Sequence, residues 1–154
     1  MTTFALVAAL VGVLSTAVIY GTDLFCALVV RPAAAGAADS SVADLLGRIH
    51  EFGDRRLPVP GVLSIVAAAA ATATAGTGPA RLAGAAALVA LIAWLVIYLR
   101  ISAPINKRLR AAAATRTVPA DTAELQRRWD GVITPRAVLQ TVALAGLLAV
   151  VVLL

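Results

Sequence analysis

The sequence predicts an all-α, polytopic membrane protein: a four-transmembrane-helix bundle with short cytoplasmic amphipathic helices. Three observations carry this. Of 154 residues, 61% are hydrophobic and only 14% are charged, whereas an ordinary soluble domain is about 45–50% apolar and about 25% charged. The apolar residues fall in four runs that, with flanking residues, reach the ~20 needed to cross a hydrocarbon core of about 30 Å. The basic residues crowd into the stretches between alternate runs. A water-soluble fold of this composition would leave broad apolar patches in water, which monomers rarely do. One domain, 1–154, is the expectation at this length.

The spans are predicted at about 4–30, 58–77, 81–101 and 134–154. The first carries a single charge, Asp23; the second has none; the third is bounded by Arg81 and Arg100; the fourth follows Pro135-Arg136. Backbone polar groups must be satisfied in lipid, so each span is expected to be a helix. The alanine run 67–71 favours helix and close approach of neighbours. Ala80/Gly84 and Ala145/Ala149 are small-residue pairs suited to tight contact. No Lys or Arg precedes the first run, and it is longer than a signal-peptide core, so it reads as an anchor.

The loops are 31–57 and 102–133. In the first, Ser40 or Ser41 is the expected N-cap of an amphipathic helix, with Asp44 in its first turn and Val42, Leu45, Leu46 and Ile49 at helical spacing. Gly53 and Pro58 punctuate its end. In the second, Pro104 is expected to stop or kink the third helix, and residues 111–117 read as a linker. Pro119 opens a helix through Leu125 and Trp129 that meets the fourth span at a break near Pro135. Of the 13 Lys and Arg residues, only Arg81 lies outside the stretches 31–57 and 100–136. The positive-inside rule then places both loops in the cytoplasm and both termini outside, in a plasma membrane. The net charge of +5 follows from this topology. Nucleic acid is a poor partner, since the basic residues hug span ends with few aromatics among them.

The chain has one cysteine, Cys26, and one histidine, His50. That excludes an intramolecular disulfide, a Cys-only metal site, a two-His zinc motif and thiol–disulfide catalysis within one chain. Asp23 lies about 10 Å inside the end of the first span, at ~1.5 Å per residue from Val30. A carboxylate there costs a few kcal/mol unless paired or protonated, and Arg100 is its expected partner. The blander reading is an Asp solvated near the interface. His50 and Asp54 are i, i+4 neighbours, so Asp54 would fix the imidazole tautomer and make His50 a proton acceptor near neutral pH. With Asp23 they offer three ligands of the kind iron, manganese or zinc accepts, although no cofactor is expected and charges at an interfacial helix end are the plainer reading. Lys107, Arg108 and Arg110 are expected at lipid phosphates. Tyr20 and Tyr98 either hydrogen-bond a buried pair or join an aromatic belt. Topology brings Asp23, His50, Asp54, Arg56, Arg100, Asn106, Trp129 and Arg136 to one end of the bundle, where a polar pocket is expected.

Four segments carry a resemblance. They are Gly21-Thr22-Asp23-Leu24-Phe25 leading to Pro32; His50-x3-Asp54-x-Arg56-x-Pro58; Pro104-Ile105-Asn106-Lys107-Arg108-Leu109; and Trp129-x6-Arg136. Over nearly the whole chain this pattern resembles the anthrone-oxygenase-like family of four-helix membrane proteins, most of them domains of unknown function. The resemblance implies a candidate activity, oxidation of polyketide anthrones to anthraquinones by molecular oxygen. One departure stands out: where many members carry a His or Asn about four residues after the Trp, this chain has Ile133.

In an enzyme of this kind His50 is the base, Asp54 its orienter and Asp23 a further catalytic carboxylate. Arg56, Arg100 and Arg136 would stabilise a phenolate or enolate, with Asn106 and Trp129 contacting a hydrophobic aromatic substrate. Two other readings stay open: a small proton-coupled transporter working through Asp23, and a non-catalytic accessory subunit whose polar end docks a membrane-complex partner or a second copy.

Overall fold

The chain was described in a computed structural model covering residues 2–154, in which the described residues form helices and turns without strands. In order they are α1 (Thr2–Phe25), a π turn (Cys26–Val30), α2 (Arg31–Ala35), α3 (Asp39–Arg56), α4 (Pro58–Thr74), α5 (Gly78–Ile97), a second π turn (Tyr98–Ser102), α6 (Ala103–Thr115) and α7 (Thr122–Leu153). Three continuous helices are long and apolar enough to cross a membrane: Thr2–Ala35, Gly78–Thr115 and Thr122–Leu153. A fourth is added if α3 and α4, which meet at 43°, count as one broken span.

The prolines behave differently from expectation. A proline ring clashes with the carbonyl four residues earlier and offers no N–H to it. Pro104 was expected to stop or kink its helix; it does not stop it, and the helix runs on to Thr115. The π turn Tyr98–Ser102 is centred on Arg100, four residues before Pro104. The π turn Cys26–Val30 is centred on Leu28, four residues before Pro32. In each case the wider i→i+5 turn relieves the helix where the proline disrupts it. Nor does the chain break at Pro135; α7 passes through it. Neighbouring residues are pinned by tertiary contacts: Ile133 is fully buried, and Thr134 accepts a hydrogen bond from Arg31.

Two further expectations are corrected. α3 starts at Asp39, with Ala38 at the cap position and no side-chain cap, so Ser40 and Ser41 lie inside the first turn. Most of the expected linker 111–117 is helix; its alanines continue α6 until Arg116 turns left-handed at φ 53°.

Small residues make up much of the interior, beside large ones such as Ile19, Leu91 and Leu147. Ala5, Ala9, Ala68, Ala71, Ala80, Ala87 and Ala143 are buried, while Phe4, Leu14, Val66, Leu82 and Val152 point outward. Many small residues inside and large apolar side chains facing outward is a distribution suited to lipid, where close backbone approach replaces the hydrophobic effect as the packing force. Ala80 and Gly84 do lie at a contact, with Gly84 against Thr72. The Ala145/Ala149 pair does not: Ala145 is exposed, and Gly146 instead meets α5, where a Cβ would come within 2.7 Å of the Ala83 carbonyl oxygen.

Gly47 seats α3 on α6. An added Cβ there would overlap the Leu109 carbonyl oxygen and come within 2.6 Å of the Ala113 methyl group. Backbone cannot step aside as a side chain does. Gly47→Ala is therefore expected to lower thermal stability in detergent by about 1–3 kcal/mol. Gly53→Ala in the same helix is the control; its nearest neighbour is Leu57 Cδ1 at 3.7 Å, and alanine there is expected to be neutral or stabilising by up to about 1 kcal/mol.

Candidate functional site

At the end of the bundle where α3 meets α4 and the second π turn begins, a cavity of about 360 Å³ opens among α1, α3, α4, α5, α6, α7 and the two π turns. Asp23, His50, Asp54, Asn106, Trp129 and Arg136 all line it. Most of the remaining wall is apolar, including Ile19, Ile65, Leu95 and Trp94.

Asp23 and Arg136 form its innermost polar group. Arg136 Nη2 donates to Asp23 Oδ1 at 2.8 Å, and Nη1 donates to Ser102 Oγ at 2.8 Å. The other carboxylate oxygen accepts from Gln140 Nε2 at 2.9 Å and Trp94 Nε1 at 3.2 Å. Asp23 is 4% and Arg136 6% exposed. The guanidinium also lies 5.9 Å from the Trp94 ring and 5.6 Å from the Tyr98 ring, in reach of their π faces. Arg136 Nε and Gln140 Oε1 are buried without a protein partner.

This corrects the pairing expected from sequence. Asp23 is neutralised by Arg136, not Arg100. Arg100 sits at the centre of the π turn and is exposed, away from the cavity lining. Arg56 is exposed too, its guanidinium 5.2 Å over the Phe52 ring on the outer face of α3. Neither arginine reaches the site.

The second polar group is centred on Asp54. Its Oδ1 accepts from Tyr98 OH and Asn106 Nδ2, each at 2.9 Å, and its Oδ2 from Arg110 Nη1 at 3.0 Å. Asn106 in turn accepts from Trp129 Nε1 at 3.1 Å. Arg110 therefore serves the site. Arg108 is also engaged within the protein, bonded through both terminal nitrogens to Asp121; those hydrogen bonds hold the Asp121 carboxyl below the usual carboxylate range.

His50 stands between the groups without joining either. It lies on α3, ahead of the apolar run that begins at Pro58. No hydrogen bond links it to Asp54 among the described residues, so Asp54 does not orient it as expected. Its ring lies 5.4 Å from that of Trp129, and Nε2 is buried with no partner. Burial pushes the imidazole down to about 4, against the opposing pull of Asp54. The expected acceptor titrating near neutral pH is thus a neutral imidazole across the physiological range.

Among the described residues no three His, Cys, Asp or Glu side chains form a ligand group. Asp23, His50 and Asp54 share the cavity but do not converge on one point. Four participants escaped the sequence reading: Trp94, Ser102, Arg110 and Gln140. Gln140 had a signal, since it follows Arg136 by four residues and shares its helix face. Trp94 had only its position deep in an apolar run. No protein-family model, curated protein or solved structure matches the chain.

Proposed function

We propose that this chain is a plasma-membrane protein of four spans, with both termini outside, that binds a hydrophobic aromatic molecule bearing a phenolic or carbonyl oxygen. The reaction we assign is the one its resemblance to the anthrone-oxygenase-like family implies. In this reading the second span begins at Pro58, and α3 with the adjoining ends of α6 and α7 forms the cytoplasmic cap, where the basic residues belong. One observation carries the functional part: a largely apolar cavity of about 360 Å³ in which the buried His50 Nε2 has no protein partner. That volume falls within the ~300–1,000 Å³ typical of small-molecule sites.

The chemistry follows from the roles available. Neutral His50 removes a proton from the ring methylene of an anthrone, and the resulting enolate remains beside it. A weakly basic imidazole holds that proton only while the anion stays in the same apolar space. Arg136 supplies the fixed positive charge for the enolate oxygen, with Nε still free. Tyr98, Asn106 and Trp129, tied together through Asp54, act as positioning residues. Overall, the methylene becomes a carbonyl: one atom of O₂ enters the ring, and the other leaves as water with the two hydrogens. The four electrons lost by the substrate reduce the O₂, so no separate reductant is required. The transporter reading fares less well, since it asks Asp23 to exchange protons while three side chains, one a cation, already donate to it.

The chain has two tryptophans, and both line the cavity. Adding an anthrone to the detergent-purified protein is expected to quench tryptophan emission saturably, followed by oxygen uptake and anthraquinone absorbance. Unchanged emission would refute the binding assignment. Quenching without oxygen uptake would leave a binding protein and remove the oxidation.

A further inference from the structure

The distribution of polarity around the cavity runs opposite to that of a pocket facing water. Its innermost polar members are buried: Asp23, His50 and Arg136 are each under a tenth exposed, and Asp54, whose side chain is 15% exposed, is tied up by Tyr98, Asn106 and Arg110. Its exposed members are all apolar. Val62 is 60%, Leu99 55% and Ile49 41% exposed, and Pro58 is exposed beside them. Three of these four come from α3 and α4 on either side of their elbow, and the fourth from the π turn after α5. A mouth onto water would carry a polar rim, because exposed apolar edges gain nothing there.

We propose that the cavity is loaded sideways from the bilayer, through a portal framed by Ile49, Pro58 and Val62 on one side and Leu99 on the other. Its ligand is a lipid-dissolved amphiphile that enters with its polar oxygen leading toward Arg136 and His50 and leaves its apolar end at the mouth. The elbow suits such an opening. α3 and α4 meet there at 43°, so the chain turns a corner beside the mouth instead of running past it as one straight helix. Val62 lies about 6 Å along α4 from Pro58, at ~1.5 Å per residue, so the portal falls near the boundary between headgroups and acyl chains. The inference rests on the membrane-spanning part of the proposed function and is independent of the oxidation.

The test needs no substrate, because all the tryptophan emission arises from Trp94 and Trp129 on the cavity wall. The full chain is placed in phosphatidylcholine vesicles whose acyl chains are brominated near the glycerol end, and separately exposed to aqueous iodide in unbrominated vesicles. Strong quenching by the brominated chains, with iodide ineffective, is the expected result. Quenching by iodide, alone or together with the lipid, would show a mouth open to water and overturn the portal. Quenching by neither would show a closed cavity and overturn it equally. The double variant Val62→Phe/Leu99→Phe narrows the rim at two exposed positions that a larger side chain does not strain. It is expected to lose most of the lipid quenching; if it keeps it, bromine reaches the tryptophans through the bundle wall and the portal is wrong. Anthrone binding in detergent reports separately on the proposed function, so the two can fail independently.

Discussion

Replacing Arg136 by Met will lower the stability of the folded chain by about 3–5 kcal/mol, the usual consequence of removing one partner from a buried ion pair. The reason lies in what stays behind. Asp23 would keep Trp94 and Gln140 as hydrogen-bond donors but lose Arg136, the one cation paired with it among the described residues, at 4% exposure. The Met side chain fills much of the Arg volume, so little of the loss comes from a cavity. The double variant Asp23→Leu/Arg136→Met removes both charges and is expected to recover most of the stability, since well-packed apolar substitutes for a buried pair are often neutral or better. Unfolding by heat or by denaturing detergent measures all three forms. If Arg136→Met stays within about 1 kcal/mol of the parent, or the double variant is no better than the single, the pair does not hold the bundle as described.

Acid will weaken the native protein through His50, and His50→Gln will remove that sensitivity. The unfolded imidazole takes up its proton near pH 6.5, the folded one only near 4. Between those values the unfolded chain binds a proton that the native one refuses, so stability is full above about 6.5 and is lost as pH falls toward 4. The whole window amounts to about 3 kcal/mol, at 1.36 kcal/mol for each pH unit. Glutamine has similar bulk and does not titrate, so the variant should show a flatter stability profile over that range. The same variant separates binding from chemistry. Anthrone should still quench the tryptophans, while turnover drops by about 10²–10⁴-fold, the contribution expected of a general base. A variant with an unchanged acid profile would show that His50 is solvated in the native state.

The apolar spans were readable because hydrophobicity sums over twenty residues, and no single position decides it. The convergence of Asp23, His50, Asp54, Asn106, Trp129 and Arg136 was readable for a similar reason: the order of the spans alone brings those stretches to one end. Which arginine meets Asp23 was not readable. Arg100 and Arg136 stand at comparable levels, and the choice depends on the rotation of each helix about its own axis. Local rules erred where tertiary contacts overrode them. Pro104 and Pro135 signal breaks by their own chemistry, yet a π turn absorbs the first and fixed neighbours at Ile133 and Thr134 hold the second. The i, i+4 spacing placed His50 and Asp54 on neighbouring positions, but Asp54 found better donors in Tyr98, Asn106 and Arg110 from across the bundle.

The two π turns also set the clocking of the helices they interrupt. Each accommodates one more residue than an α-turn, and one residue of α-helix corresponds to about 100° of rotation. Trp94 and Ser102, ahead of and within the second turn, face the Asp23 group, while Asn106 and Arg110 beyond it face Asp54. A single deletion between Ile97 and Ala103 would be absorbed as the turn reverts to α-helix, leaving Asn106 and Arg110 on the Asp54 side, whereas one further residue inserted there would turn them off Asp54 by about 100° with every side chain of the site still encoded. The number of residues between Trp94 and Asn106 is therefore as much a determinant of the site as their identities.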